Sequence, residues 1–296
     1  MPNKPKAPNY VRQHRVDLHI HTAASDGSYT PEQIVQRAAD FNIALLAVTD
    51  HDTILGVQAA QKQGAQCGCA VIAGVEISAE SPGDMHLLGY FVDTQNEPLA
   101  EELQMQAKMR EDRMDVCLEK LKSLGVCVDA DLVYKYAEGG TKSRAHIARA
   151  MVEGGICSSI TEAFSRFLNP GRPGFIPIKK TEPQKALQLI TQAGGYPVLA
   201  HPLTLRLCTS KLTTCLRELK QLGLYGVEAY HFSHIPTVAA KLHSLAVYAN
   251  LAITGGSDFH GESRPDIELG NYPPGWKTGY FPPLKERLGD WVEELT

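Results

Sequence analysis

Residues 17–27 read DLHIHTAASDG. His19 and His21 stand one residue apart at the end of an apolar run, and Asp26 follows in a Ser-Asp-Gly turn. Alternate residues of a strand point to one face, so both imidazoles leave on the same side and each needs a partner. A single cation serves both. Similar residues recur at the ends of later apolar runs: Asp50, His51 and Asp52 in VTDHDT, Glu76 in GVEIS, His86 in MHLLGY, His201 in AHP, and Asp258 with His260 in SDFHG. Each is weak evidence alone, because a lone strand histidine is usually a satisfied core residue. Together they place six of the eleven histidines and at least three carboxylates where strands end.

Clustered carboxylates without countercharge repel one another and shift their pKa values; divalent cations remove that problem. A set of imidazoles and carboxylates without thiolate suits Mn²⁺, Fe²⁺ or Zn²⁺. His19, His21, Asp26, His51, Glu76, His86, His201, Asp258 and His260 are more ligands than one ion can use. We therefore expect two or three divalent ions sharing bridging groups, with Mn²⁺ placed first. Closely spaced ions acidify water and clamp phosphoryl oxygens. The expected reaction is hydrolysis of a phosphate ester by a metal-bridging hydroxide, with no covalent enzyme intermediate. The chain has no G-x-S-x-G elbow, and none of its seven cysteines lies in a nucleophile motif.

The elements that must position these residues alternate. Apolar runs at 16–20, 44–50, 70–78, 85–92, 196–201, 226–230 and 252–258 read as strands, separated by amphipathic helical patterns. TPEQIVQRAADFN reads as a helix capped by Thr30, with Pro31 in its first turn; TILGVQAAQKQGA reads as one ending at Gly64. Such alternation predicts parallel strands with right-handed crossovers. The count predicts an α/β fold: a distorted (β/α)7 TIM-like barrel, whose strand ends open on one catalytic face. Without a G-x-G-x-x-G loop after the first strand, a dinucleotide fold is disfavoured. Strand signal fades over 96–182, where PLAEELQMQAKMREDRMDVCLEKLKSLG reads as a long helix with many i,i+4 charge pairs. The expected organisation is a flexible tail over 1–14, a barrel over 15–95 and 183–296, and a helical insertion or cap over 96–182.

The 296 residues carry a net charge of −4. That disfavours a broad nucleic-acid-binding face and long duplexes, though not a small basic pocket. The odd number of irregularly spaced cysteines reads as reduced thiols, and the basic, proline-rich start has no signal-peptide core. No apolar run approaches the roughly 18 residues of a membrane span. The expected location is the cytoplasm.

Taken in order, DLHIHTAASDG, VTDHDT, GVEIS, HLLGY, AHP and GSDFHG resemble the polymerase and histidinol phosphatase, or PHP, domain family. The insertion's SRAHIARAM resembles the subgroup of nucleoside bisphosphate phosphatases and 5′→3′ exoribonucleases. The resemblance implies a trinuclear site. One ion would take His19, His21, Glu76 and Asp258; a second Glu76, His86 and His260; a third Asp26, His51 and His201. Glu76 would bridge two ions. Asp17, Asp50 and Asp52 would orient imidazoles from behind, with Asp50 counted among the catalytic residues.

In TKSRAHIARA a helix N-terminus would cradle phosphate. Ser143, Arg144 and His146 are the expected substrate contacts, with Arg144 gripping a second phosphate away from the metals. Arg172, Lys179 and Lys180 lie in a proline-rich loop that lines the mouth or merely re-enters the barrel. In YHFSH, His234 is the expected general acid, while His231 is discounted because relatives commonly carry another residue there. His14 and His243 read as structural or surface residues. The expected substrates are a small nucleoside 3′,5′-bisphosphate or the 5′-phosphorylated end of a short single-stranded RNA. The rivals are a histidinol-phosphate phosphatase, a non-catalytic nucleotide- or RNA-binding protein, and a metal-dependent amidohydrolase.

Overall fold

The computed structural model describes residues 15–295; the tail over 1–14, with His14, lies outside them. Seven strands form one sheet in chain order: β1 (Val16–Ile20), β2 (Leu45–Val48), β3 (Ala70–Ala79), β4 (Met85–Tyr90), β5 (Tyr196–Leu199), β6 (Gly226–His231) and β7 (Ala252–Gly256). Just past their ends β1 and β7 meet: Asp258 N–H donates to His19 O at 2.8 Å and His21 N–H to Phe259 O at 2.9 Å. The sheet therefore curls into a nearly closed barrel. Helices α1 (Pro31–Asp40), α2 (Val57–Cys67), α7 (Pro183–Gln192), α8 (Thr209–Gln221) and α9 (Pro236–Tyr248) wrap it, and α10 (Pro283–Leu288) follows near the C-terminus. Strands covered on both faces read as continuous apolar runs, and β1 and β2 are buried along their whole length.

One strand breaks the expected parallel pattern. β4 runs antiparallel to both β3 and β5, because only residues 80–84 join β3 to β4 and no helix fits in so short a link. His86 thus stands at the start of its strand, and the reversal brings that start to the end where the parallel strands finish.

Local chemistry explains the helix ends. Thr30 and Gln33 form a reciprocal cap on α1. α2 runs past Gly64, contrary to the sequence reading, and stops at Gly68 with φ 76°. Gly64 answers to packing instead: a Cβ there would lie 2.3 Å from Cys69 O.

Between β4 and α7 the chain forms α3 (Glu97–Ser123), α4 (Ala130–Tyr136), α5 (Arg144–Glu153) and the short α6 (Ile160–Ala163), which passes into a wide turn over Phe164–Leu168. Leu99 and Leu103 of α3 belong to the barrel core. Met114, Cys117 and Leu121 of the same helix join Val133, Ile147, Met151 and Leu168 in a second apolar cluster. α3 is thus shared between the two cores. At the far end of the barrel, Tyr272 Oη donates to Val16 O at 2.8 Å and Trp276 Nε1 to Ile253 O at 3.0 Å. The C-terminal segment plugs that end and leaves the opposite one for chemistry.

Candidate metal centre

The polar residues at the strand ends converge on Glu76, which is fully buried. The Nε2 atoms of His19 and His21 are 3.1 Å apart. Glu76 Oε2 lies 3.4 and 3.2 Å from them, and Asp258 Oδ1 lies 3.5 and 3.2 Å. Glu76 Oε2 is also 2.9 Å from His51 Nδ1. Glu76 Oε1 is 2.9 Å from both His86 Nδ1 and His201 Nε2. Asp26 Oδ1 is 3.4 Å from His260 Nε2 and 4.0 Å from His51 Nε2. All nine expected ligands meet at one end of the barrel.

Their partnering differs from that implied by the resemblance. His260 sits with Asp26, His51 and His21, whose ligand atoms lie within 4.8 Å of one another, while His201 sits with Glu76 and His86. Topology is the reason. The β1 loop bearing Asp26 is bound to the chain after β7, where Ser28 N–H donates to His260 O at 3.1 Å. The reversed β4 lies beside β5, and Ala200 N–H donates to His86 O at 3.0 Å.

The donor set fits divalent cations. His21 Nδ1, Asp26 Oδ1, His51 Nδ1, Glu76 Oε2 and His260 Nε2 are buried and make no well-aligned hydrogen bond among the described residues, although Glu76 Oε2 faces His51 Nδ1 at 2.9 Å and Asp26 Oδ1 faces His260 Nε2 at 3.4 Å. Polar atoms left so cost about 1–3 kcal/mol each unless something else binds them. The electrostatics agree. Burial alone would push His19 down, but Glu228, Glu76 and Asp258 outweigh it and raise the imidazole well above its usual range. His21 is likewise lifted to about 9 against burial, through Asp258 and Glu76. Burial favours the neutral acid at Glu76, yet His51, His86 and His19 hold it well below the usual carboxylate range. The acids here demand positive charge. Backbone strain supports a functional reading: His201 (φ 24°), Asp258 (φ 51°) and Asp52 (φ 49°) all adopt positive φ at this end.

The sequence profile of the PHP domain matches residues 17–166. The chain belongs to the PHP domain family. It is 33% identical over 257 residues to the Escherichia coli 5′-3′ exoribonuclease Rnm, covering 86% of this chain and 87% of that protein. It is 30% identical over 266 residues to a 3′,5′-nucleoside bisphosphate phosphatase of Chromobacterium violaceum, covering 85% and 90%. A solved Bifidobacterium adolescentis structure, put forward as a metal-dependent phosphoesterase, superposes with TM-score 0.83 at 28% identity over 94% of this chain and 97% of that one.

Within this PHP barrel, the three aspartates expected to orient imidazoles bind other groups. Asp17 accepts from the N–H groups of Ser257 (2.9 Å) and Gly270 (2.7 Å), pinning β1 to the C-terminal segment. Asp50 accepts from Thr22 N–H (2.7 Å), Thr22 Oγ1 (2.7 Å) and Ser25 Oγ (2.6 Å), so it shapes the loop leading to Asp26. Asp52 takes Ser78 N–H at 2.8 Å and an ion pair from Arg110. The imidazoles are held by others. His19 Nδ1 meets Glu228 Oε1 at 3.0 Å, His260 Nδ1 meets Asp258 O at 2.8 Å, and His201 Nδ1 meets Thr204 Oγ1 at 3.2 Å.

His234 is fully buried behind His231, its Nδ1 bound to Ala229 O at 2.9 Å. Burial, then the neighbouring His231, push it down to about 4. So held, its Nδ1 is committed to a backbone carbonyl. The discounted His231 is nearer, with Nε2 3.3 Å from Asp258 Oδ2.

Ser143 caps α5, accepting Ala145 N–H at 3.1 Å, and its hydroxyl donates to Asp26 Oδ2 at 3.0 Å. His146 completes that cap through Nδ1, 3.2 Å from Ser143 N, and is buried. Both side chains are thereby committed to joining cap and barrel. Arg144 instead lines a crevice with Ser143, Arg110, Arg113, Met114, Cys117, Ile147 and Ile176. Its Nη1 donates to Leu168 O at 2.8 Å, and its guanidinium lies near the rings of Phe175 and Phe164. Arg113 is 9% exposed, and its side chain makes no hydrogen bond or ion pair with another described residue. Burial, then the neighbouring Arg110 and Arg144, push its pKa down to about 9.

The sequence reading missed Arg110, Arg113, Arg264 and Glu228. Arg110 and Arg113 fall within the helix read for its i,i+4 charge pairs. They fall on the buried stripe Leu103, Gln106, Arg110, Arg113, Met114, Cys117 and Leu121, whose three- and four-residue spacing was the available signal. Arg264 pairs with Asp258 from a loop that carries no such pattern. Glu228 had a signal: Gly226-Val227-Glu228 repeats Gly74-Val75-Glu76.

Proposed function

We propose that this PHP-family phosphoesterase hydrolyses phosphate esters of nucleotides that carry two phosphates, or of the 5′-phosphorylated end of short single-stranded RNA. One observation carries the reading: a buried cluster of imidazoles and carboxylates lies beside a crevice lined by three arginines, joined through Ser143 and Asp26. His19, His21, Glu76 and Asp258 would hold one divalent ion; Glu76, His86 and His201 a second; Asp26, His51 and His260 a third, with Mn²⁺ our first choice over Fe²⁺ or Zn²⁺. When bound, such ions lower the pKa of water and offset charge developing on a phosphoryl group. The protein's part is placement. Arg264 and His231 hold Asp258 by the oxygen turned away from His19 and His21. The crevice is closed to a water-sized sphere as it stands, so its walls would have to part for Arg113 and Arg144 to offer planar donors to a phosphate that is not the one hydrolysed.

The named activities of the exoribonuclease and the bisphosphate phosphatase support this substrate class. A histidinol-phosphate phosphatase needs no arginine crevice, and a pure binding protein needs no complete ligand set. Among the described residues no helix is long and apolar enough to cross a membrane; with seven free cysteines, this supports a cytoplasmic location. The test is phosphate release, with Mn²⁺ and with chelator, from adenosine 3′,5′-bisphosphate, a 5′-phosphorylated oligoribonucleotide, histidinol phosphate and an aryl phosphate. We expect metal-dependent turnover favouring the first two. Preference for histidinol phosphate, or turnover surviving verified metal removal, overturns the proposal.

A further inference from the structure

We propose that Glu228 is a positioning residue that couples two of the cation positions. This rests on the metal reading above and extends it. Glu228 is fully buried in the middle of β6 and uses both carboxylate oxygens. Oε1 accepts from His19 Nδ1 at 3.0 Å. Oε2 accepts from the backbone N–H of His201 at 2.8 Å. The first contact selects the tautomer of His19 that carries its proton on Nδ1, leaving the Nε2 lone pair toward Glu76 and Asp258. The second braces the backbone of His201, whose φ of 24° is unfavourable for a residue with a Cβ. In that conformation His201 Nε2 reaches Glu76 Oε1 at 2.9 Å.

One carboxylate therefore orients a ligand from β1 and a ligand from the end of β5, and the two belong to different ion positions. Glu228, His19 and His231 also have ligand atoms within 4.8 Å of one another, which would allow a further cation. The two hydrogen bonds Glu228 already accepts favour the orienting role instead. Glu76 and Glu228 close the two Gly-Val-Glu segments of the chain, and they divide the work: Glu76 turns to the cations, Glu228 to the residues that hold them.

The experiment titrates the full-length wild-type, Glu228→Gln and Glu228→Ala proteins with Mn²⁺ alone, following free Mn²⁺ by electron paramagnetic resonance. Nitrogen-15 NMR reads which ring nitrogen of His19 carries the proton in the protein loaded with diamagnetic Zn²⁺. Glu228→Gln keeps size and shape but presents an amide that cannot accept at both ends. We expect its Mn²⁺ affinity to fall about 10–100-fold in more than one binding step, and His19 to leave the Nδ1–H tautomer. Should Glu228→Ala fail to fold, the isosteric variant decides, its fold checked by thermal melting in chelator. Unchanged affinity and tautomer in a folded Glu228→Gln protein overturn this inference alone. A wild-type protein that takes up no Mn²⁺ overturns the metal reading and this inference together.

Discussion

Two neighbouring regions carry opposite electrical imbalances. At the barrel mouth, Asp26, Glu76 and Asp258 lie buried among imidazoles with donor atoms left without a well-aligned hydrogen bond. In the cap crevice, Arg110, Arg113 and Arg144 lie together, and Asp52 is the acid paired with Arg110. Neither arrangement favours stability. Buried charge costs several kcal/mol per ion unless it is matched, and self-repulsion adds to that. Such imbalances persist where binding something else resolves them. On the proposed reading the mouth would take cations and the crevice an anion. A molecule with two phosphates, one held through cations and one by arginines, would then answer both at once.

The comparison can be broken most severely at Glu76. Glu76→Gln removes the charge that faces His51, His86 and His201. We expect loss of bound metal by elemental analysis and a fall in turnover of more than about a hundredfold, since even groups that merely orient ligands are worth about 10–100-fold. Near-normal metal content and rate would remove the cluster from the chemistry. Asp52→Ala tests the other region. It leaves Arg110 buried without its partner, which should cost about 3–5 kcal/mol of stability, read by urea unfolding. A loss below about 1 kcal/mol would show that the crevice tolerates its own charge. Arg113→Met sharpens the comparison with the smallest change, removing charge but little volume. Stability should stay level or rise, while KM for a nucleoside bisphosphate rises about tenfold to a hundredfold, the worth of a hydrogen bond to a charged group. KM for an aryl phosphate should not move. Equal effects on both substrates would deny the crevice its second phosphate.

Legibility followed spacing. The barrel strands could be read because each is a short apolar run, and the ligands because each punctuates such a run. β4 was found as a strand, but its direction depends on a link too short for a helix. Arg110 and Arg113 were hidden because charge suggests exposure, although their positions follow the buried stripe of α3. His234 presents the opposite case. Its sequence position suits a reactive group, while the turn after β6 sends the ring inward onto Ala229 O. Ser143 and His146 were placed near phosphate by helix logic together with the family resemblance; in the structure their side chains cap α5, and Ser143 also reaches Asp26.

By itself the sequence determined the residue chemistry: imidazoles and carboxylates without thiolate, stationed at strand ends, with a helical insertion between the fourth and fifth strands. That follows because ligand type and hydrophobic period are local properties. Which candidate ligands lie together was decided only by tertiary structure. His260 joins Asp26 because β7 closes on β1, and His201 joins His86 because β4 runs backwards beside β5. Partnership across a barrel depends on strand order and direction, and neither quantity is written in the spacing of residues along the chain.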